Sequence, residues 1–239
     1  MLRRAVYGGF NNPQRRKFKK GMTDPRWFSA PAEIYRETHR RGGFVATAAT
    51  HKRSNAQIKA AAKGLDKSNV LEIGSGPRPV SAEMKPANLT LVDLLPEHHE
   101  LARTVIAQNK TSHPNETVDP EKVTYIAADA RKSIQQLEGK HFSLIVIAEM
   151  LTHVPTAERV RFLADWAKKT DSFVIVDRQV VLKGAIKKHP ELMNGKDIRS
   201  LISRMGFKCT HFHTETFHQQ TENQGVQAQT YFFLAAKRG

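Results

Sequence analysis

From residue 70 onward, short apolar runs alternate along the chain with polar segments that are compatible with helices. The first five runs are five to seven residues long and rich in β-branched residues, which is typical of strands buried on both faces of a sheet. They read VLEIG, LTLVD, VTYIAA, SLIVIAE and SFVIVD. Strands joined through helices predict right-handed crossovers and a mainly parallel sheet.

Two further apolar runs follow, and the segment between them lacks a helical pattern. They read FKCTHFH (207–213) and TYFFLAA (230–236). Without a crossover helix, these strands are expected to pair as an antiparallel hairpin at one edge of the sheet. The pattern therefore predicts an α/β fold with a seven-stranded, mainly parallel sheet and an antiparallel C-terminal hairpin.

The pattern before residue 65 differs from the rest and indicates separate regions. Glycines and prolines interrupt any periodicity in residues 1–30, so we predict a basic, irregular N-terminal arm or presequence there. Residues 31–64 contain two helix-compatible stretches and predict an N-terminal helical lid that ends at Gly64. Residues 65–239 are then expected to form the α/β domain.

Positive charge is concentrated in the same N-terminal part. The chain has a formal net charge of +15. Residues 1–63 contain 15 Lys and Arg against three acids, a balance of +12, and the remaining residues contribute +3. No acid precedes Asp24. The cations before it, which we predict to contact RNA, are Arg3, Arg4, Arg15, Arg16, Lys17, Lys19 and Lys20.

An acid-free, arginine-bearing segment is typical of two functions. One is an organellar presequence, which would direct the protein to the mitochondrion rather than leave it in the cytoplasm. The other is a basic arm that neutralises the phosphates of folded RNA. Aromatic residues interleaved with the cations add surfaces for base stacking. RNA, in particular ribosomal RNA or a ribosomal particle, is therefore the predicted partner.

Composition argues against several other classes of protein. No apolar stretch approaches the roughly 18 residues that span a bilayer, so we expect a soluble protein without a membrane partner. The N-terminus also lacks the apolar core of a secretory signal. A single cysteine, Cys209, excludes an internal disulfide and a cysteine-rich zinc module, and it agrees with a reducing compartment. We predict no metal site.

The ends of the predicted parallel strands carry the candidate chemistry. The first strand runs into a turn of Gly74, Ser75 and Gly76, where glycine lets the backbone approach a ligand closely. Successive strand ends carry four acids: Glu72, Asp93, Asp129 and Glu149. Because ligands of such sheets bind outside the carboxyl ends of the strands, we expect these acids to border one cleft.

The segments VLEIGSGP, LTLVDLLPEH, VTYIAADA and SLIVIAEMLTHV resemble the cofactor-binding core of class I, Rossmann-like S-adenosylmethionine-dependent methyltransferases. The resemblance covers about residues 65–180 and implies S-adenosyl-L-methionine as the cofactor. It implies that Gly74 and Gly76 pass beneath the methionine part and that Asp93 binds the ribose hydroxyls. It also implies that Asp129 and Ala130 contact adenine. The predicted cofactor-binding residues are Glu72, Gly74, Ser75, Gly76, Arg78, Asp93, Leu94, Asp129, Ala130 and Glu149.

One position departs from the family pattern. The family's turn usually has a third glycine where this chain has Arg78, between Pro77 and Pro79. An arginine there could crowd the carboxylate of the cofactor, or it could pair with that carboxylate. A turn that no longer binds the cofactor would leave the fold as a scaffold.

The predicted catalytic residues are Glu149 and His153, after the fourth strand. Methyl transfer from a sulfonium needs mainly alignment, but an acceptor that carries a proton also needs a base. His153 is the candidate base, and a packing role is its alternative. No Asn/Asp-Pro-Pro-aromatic motif for an exocyclic amine is present, and no cysteine follows the fourth strand to attack a pyrimidine.

The sequence thus predicts an S-adenosylmethionine-dependent methyltransferase that acts on RNA, in particular ribosomal RNA or a ribosome-associated substrate in an organelle. Two alternatives stay open. One is a catalytically inactive scaffold of this fold, bound to RNA or the ribosome. The other is a small-molecule methyltransferase whose basic N-terminus is a cleaved presequence.

Overall fold

The computed structural model describes residues 48–179, 194–221 and 225–239, with side chains for residues 54–179, 194–217 and 230–239. The predicted basic arm and all its predicted RNA contacts, Arg3, Arg4, Arg15, Arg16, Lys17, Lys19 and Lys20, lie outside the described residues.

Seven strands form one sheet within the described ranges. They are β1 (Asn69–Ile73), β2 (Asn88–Asp93), β3 (Val123–Ala127), β4 (Leu144–Ala148), β5 (Ser172–Arg178), β6 (Phe207–Thr221) and β7 (Gly225–Arg238). Their order is β3-β2-β1-β4-β5-β7-β6. The first five strands are parallel to one another, and β7 is antiparallel to both β5 and β6. The predicted α/β fold with a mainly parallel seven-stranded sheet and an antiparallel hairpin is confirmed.

Helices cover both faces of this sheet. In the part of the chain that the structure describes, the α-helices are α1 (Ala48–Ala61), α2 (Pro96–Ser112), α3 (Ser133–Gln136), α4 (Arg159–Ala167) and α5 (Gly195–Arg204). Ile58 of α1 and Ile106 of α2 belong to one apolar cluster, and Trp166 of α4 and Ile202 of α5 belong to the other. Strands β1, β2, β4 and β5 are therefore buried on both sides, as their continuous apolar runs require. The expectation of full burial is wrong for β3, which lies at the edge of the sheet and has only half-buried and exposed residues.

Within the described ranges, three short 3₁₀ helices lie in the connections. They are η1 (Val80–Met84), η2 (Pro120–Lys122) and η3 (Leu151–His153). The glycine turn after β1 leads into η1, where the sequence predicted a helix. The first and third of these helices follow β1 and β4, the two strands between which the strand order reverses. Ligands of doubly wound sheets bind at such a reversal.

The C-terminal hairpin is arranged so that β7, and not β6, joins the parallel part of the sheet. Residues 231–236 of β7 are all buried. Among the described side chains of β6, only Phe207 and Phe217 are buried, and the others are half-buried or exposed. A continuous apolar run suits an interior strand, and a largely polar one suits an edge.

Helix α1 contains the second of the two helical stretches that the sequence predicted before residue 65. It contacts η1 and β7. The three proposed regions, 1–30, 31–64 and 65–239, remain a prediction. No helix in the described part of the chain combines the length and apolar character that crossing a bilayer requires.

Two buried carboxylates at strand ends hold the loops that follow β1 and β4. Glu72 is 2% exposed and accepts hydrogen bonds from the backbone N–H groups of Val80, at 3.2 Å, and Ser81, at 2.9 Å, and from the Ser81 hydroxyl. Asp177, at the end of β5, accepts the backbone N–H of Thr152 in η3 at 3.2 Å. Each carboxylate thereby satisfies N–H groups at the start of a 3₁₀ helix.

Burial raises the pKa of both carboxyl groups. The pKa of Glu72 rises from 4.5 to about 7 because its charged form is desolvated, although the hydrogen bonds from Ser81 and Val80 oppose the rise. For the same reason the pKa of Asp177 rises from 3.8 to about 7. The folded protein therefore keeps these protons at pH values where the unfolded chain has lost them.

This difference predicts how stability depends on pH. Between pH 4.5 and about 7 the unfolded chain loses the Glu72 proton while the folded state retains it, so the free energy of unfolding falls as the pH rises. We expect Glu72→Gln to lessen this fall by up to about 3 kcal/mol. Urea unfolding of both proteins at pH 5 and pH 7.5 measures it.

Replacement of the exposed Glu138 by Gln is the matched control and should leave the pH dependence unchanged. The prediction is wrong if Glu72→Gln and the unaltered protein lose equal stability between the two pH values. If Glu72→Gln is less stable than the unaltered protein by the same amount at both pH values, the difference comes from altered hydrogen bonds alone.

Candidate cofactor and acceptor site

The turn after β1 requires glycine at two positions. Gly74 has φ +72° and Gly76 has φ +58°, in the left-handed region that other residues rarely adopt. The backbone N–H of Gly74 donates to the carbonyl of Val92 on β2 at 2.8 Å, which anchors the turn to the neighbouring strand. The turn that the sequence singled out is therefore a tight, left-handed one.

The two glycines face different surroundings. A Cβ atom at Gly74 would lie 2.7 Å from Cγ of Met150, so the side chain of Met150 occupies the space that a larger residue would need. A Cβ atom at Gly76 would meet nothing within 4 Å. The turn thus packs against the loop after β4 on one side, and it leaves open space beside Gly76.

Asp93, at the end of β2, joins this turn to α2. Its Oδ2 accepts the backbone N–H of Gly76 at 2.8 Å, and its Oδ1 accepts the backbone N–H of Leu95 at 3.0 Å. Nδ1 of His98 lies 2.9 Å from the same Oδ1. Burial alone would raise the pKa of Asp93, but the hydrogen bonds from His98, Leu95 and Gly76 outweigh it and lower the pKa. The carboxylate is therefore kept ionised.

Asp129, after β3, forms an ion pair with Arg131 two residues later in the chain. Both carboxylate oxygens contact the guanidinium of Arg131, with Nε–Oδ1 at 3.0 Å and Nη2–Oδ2 at 2.5 Å. Burial would raise the pKa of Asp129, and the hydrogen bonds from Arg131 more than offset it. Arg131 also lies 3.8 Å from the carboxylate of Glu158. The neighbouring Ala130 is buried. The side-chain orientation of Asp129 is thus set by Arg131.

Glu149, directly after β4, has a strained backbone. Its φ is +52°, which costs an L-residue about 1–2 kcal/mol. The backbone N–H of Glu149 donates to the carbonyl of Val176 at 2.8 Å, so the adjacent strand holds it in place. Its Oε2 lies 3.4 Å from the hydroxyl of Tyr231 and 4.0 Å from Nε of Arg178. The residue after β4 therefore meets the end of β5 and the middle of β7 here.

The other predicted site residues lie nearby in the chain but differ in their surroundings. Arg78 is exposed, and its φ is not positive, so the backbone does not require the glycine that the family usually has there. Leu94 is half-buried beside Asp93. His153 ends η3 and is half-buried. The predicted roles of these residues stay predictions.

Sequence reasoning missed several residues that contact the predicted ones. Met150 and Arg131 follow predicted residues by one or two positions, so they could have been considered. His98 lies one turn into α2, and its only signal is its spacing from Asp93. Arg178 and Tyr231 lie 29 and 82 positions from Glu149 and meet it only because β5 and β7 pair.

The residues around the turn fit S-adenosylmethionine. The open space beside Gly76 lets a ligand approach the backbone, and the Asp93 carboxylate lies next to it. The hydroxyl of Ser75 is buried and has no hydrogen-bond partner among the described residues. A buried hydroxyl of this kind is expected to pair with a polar ligand. The set provides acceptors for hydroxyls and a donor, which suits the polar parts of this cofactor.

Comparison with protein families and solved structures agrees with this description. A family model described as a methyltransferase domain matches residues 46–225, more than half of the chain. Comparison with curated proteins gives no significant match.

Several solved structures share the fold at low identity. One is magnesium protoporphyrin IX methyltransferase from Synechocystis PCC 6803 with bound SAH, which is 15% identical, with a TM-score of 0.58 over 92% of this chain and 100% of that chain. Another is N-methyltransferase NodS from Bradyrhizobium japonicum WM9 in complex with S-adenosyl-L-homocysteine. It is 13% identical, with a TM-score of 0.56 over 79% of this chain and 86% of that chain.

A third structure, a candidate RNA methyltransferase from Pyrococcus horikoshii, is 12% identical, with a TM-score of 0.53 over 78% of this chain and 84% of that chain. The three are named for different methylation reactions and share the fold. By its family match and its fold, the chain belongs to the methyltransferase domain family, among the class I S-adenosylmethionine-dependent methyltransferases.

Proposed function

We propose that this protein transfers the methyl group of S-adenosylmethionine to RNA, in particular to ribosomal RNA or a ribosome-associated substrate in an organelle. The observation that carries the proposal is the charge of residues 1–63, a balance of +12 ahead of a methyltransferase domain. Small acceptors do not require so many cations, whereas a polyphosphate does.

The described residues have distinct roles in this proposal. When bound, S-adenosylmethionine supplies a methyl group that its sulfonium has already activated. Asp93 accepts hydrogen bonds from the ribose hydroxyls, and Ser75 pairs with a polar group above the turn. Asp129 is oriented by Arg131 toward adenine. Glu149 lies at the mouth of the site and accepts the proton that the methylated atom loses, with His153 as the other candidate base.

The substrate class rests on charge and not on the structural neighbours. Neighbours named for a porphyrin, for N-methylation and for RNA have the same fold, and their low identity extends only to that fold. The acid-free segment before Asp24 supports an organellar location, in the mitochondrion, because presequences have this composition.

One alternative has an observation in its favour. The structural match covers the full length of the magnesium protoporphyrin IX methyltransferase. This match supports a small-molecule enzyme whose basic N-terminus is a cleaved presequence. The inactive scaffold has less support, because the backbone of the turn accommodates Arg78 without strain. Cofactor and RNA binding separate the three hypotheses.

Cofactor binding is tested by calorimetric titration with S-adenosylmethionine and S-adenosylhomocysteine. We expect Asp93→Ala to weaken binding roughly 10- to 100-fold, because charge-assisted hydrogen bonds to the ribose are lost. Replacement of the exposed Glu100, on the helix α2 that follows Asp93, by Ala is the matched control and should bind normally.

Thermal unfolding of each variant excludes loss of fold, and Asp93→Asn provides a second variant that keeps one acceptor oxygen for Leu95. Unchanged affinity in both Asp93 variants would contradict the ribose role. No binding at millimolar cofactor by the folded, unaltered protein would favour the scaffold.

RNA binding is tested by measuring the affinity for ribosomal RNA over a range of salt concentrations. We expect affinity to fall steeply with salt, because pairing of cations with phosphates releases counterions. Changing Arg15, Arg16 and Lys17 to Ala should weaken binding and lower the slope of log K against log salt by about 0.7–0.9 for each phosphate that is no longer neutralised.

The control changes Lys122, Lys140 and Lys208, which are exposed and lie in the described domain, to Ala. An equal loss in both triple variants would contradict a specific role for the N-terminal cations. Transfer of tritium from methyl-labelled cofactor to the same RNA then distinguishes the enzyme from the scaffold.

A further inference from the structure

Glu149 is held in a conformation that its residue type disfavours. Besides Lys85, it is the one non-glycine residue with positive φ in the described part of the chain. Such strain persists where the surrounding structure imposes it, and it concentrates at functional sites. The pairing of Glu149 N–H with Val176 on β5 imposes it here.

Two polar groups lie beside the Glu149 carboxylate, but neither is within the usual hydrogen-bond distance of it. The hydroxyl of Tyr231 lies 3.4 Å from Oε2, and Nε of Arg178 lies 4.0 Å from it. Both separations exceed the usual hydrogen-bond distances of about 2.7–3.0 Å. The Glu149 side chain is 30% exposed, so the carboxylate is accessible from solvent.

Arg178 has an unused donor at this point. Its Nε is buried and has no hydrogen-bond partner among the described residues. Buried donors in folded proteins are almost always paired, so a donor left unpaired by the described residues is available to a ligand. An acceptor atom of a ligand beside Glu149 would pair with it.

The three groups lie on rigid elements next to the glycine turn. Arg178 and Tyr231 are directly opposite one another on β5 and β7. Met150, the residue after Glu149, packs against Gly74. The group therefore adjoins the turn on the β4 side of β1, opposite Asp93 and the end of β2.

We infer that Glu149, Arg178 and Tyr231 form the acceptor-binding site and that it takes the Watson–Crick edge of a nucleobase. This inference rests on the proposed function. A carboxylate only accepts hydrogen bonds, and a guanidinium only donates them. Placed side by side, they match a flat group that presents an N–H donor next to an acceptor atom. A phosphate does not match, because the carboxylate repels it.

The binding probe is an RNA decamer in which one central base is flanked by abasic sugar–phosphate units. Four probes carry A, C, G or U. Four others carry the same bases with the N–H groups of the Watson–Crick edge replaced by N-methyl groups. All eight have the same charge, so phosphate contacts cancel in each comparison. Fluorescence anisotropy in the presence of S-adenosylhomocysteine gives the affinities.

We expect the unaltered protein to bind at least one free-edge probe about 5- to 100-fold more tightly than its methylated partner, as a bidentate base contact implies. Glu149→Ala should abolish this difference. Arg178→Lys should reduce it, because the planar donor is lost while the charge remains. Tyr231→Phe should reduce it by a few fold. The exposed Glu138→Ala is the control and should retain it.

Glu149→Gly provides a second variant in case Glu149→Ala does not fold, since glycine suits a positive φ. Equal binding of free and methylated probes by the unaltered protein overturns the inference, as does a difference that persists in both Glu149 variants. If all eight probes bind in a salt-dependent way and methylation of the base edge makes no difference, the RNA proposal stands and only the inference about this site is wrong. If none of the probes binds, both the RNA proposal and the inference about this site are contradicted.

Discussion

The hydrogen bond from the backbone N–H of Gly76 to the carboxylate of Asp93 connects the two halves of the candidate cofactor site. It joins the turn after β1 to the end of β2, and through Leu95 and His98 the same carboxylate also holds the start of α2. Gly76 makes this bond from a left-handed backbone, which glycine adopts without steric cost. Removing the carboxylate would therefore release the turn, the strand end and the helix together.

Buried carboxylates organise the other loops of the strand-end edge in the same way. Glu72 binds the N–H groups that begin η1, and Asp177 binds one that belongs to η3. The two chain segments that border the turn are thus tied to strands in the core. The consequence is a raised pKa for Glu72 and Asp177, because both are shielded from water. The carboxyl groups that hold the loops after β1 and β4 therefore lower the free energy of unfolding as the pH rises toward neutral.

Much of the fold and part of the site could be predicted, because they depend on neighbouring residues. The apolar runs predict all seven strands, and Gly74, Gly76 and Asp93 follow from where the first two strands end. The contacts of Glu149 could not be predicted in this way. Its partner Tyr231 lies 82 residues away on β7, and no local pattern links the two.

The sequence by itself determined which segments are strands, where their ends place glycines and acids, and where the positive charge lies. These properties are local, since period, turn chemistry and composition act over a few residues. Only the tertiary structure decided that β7 lies between β5 and β6, and therefore that Glu149, Arg178 and Tyr231 meet. The reason is physical: strand order is set by burial of whole apolar faces, a property of the packed chain that no single segment carries.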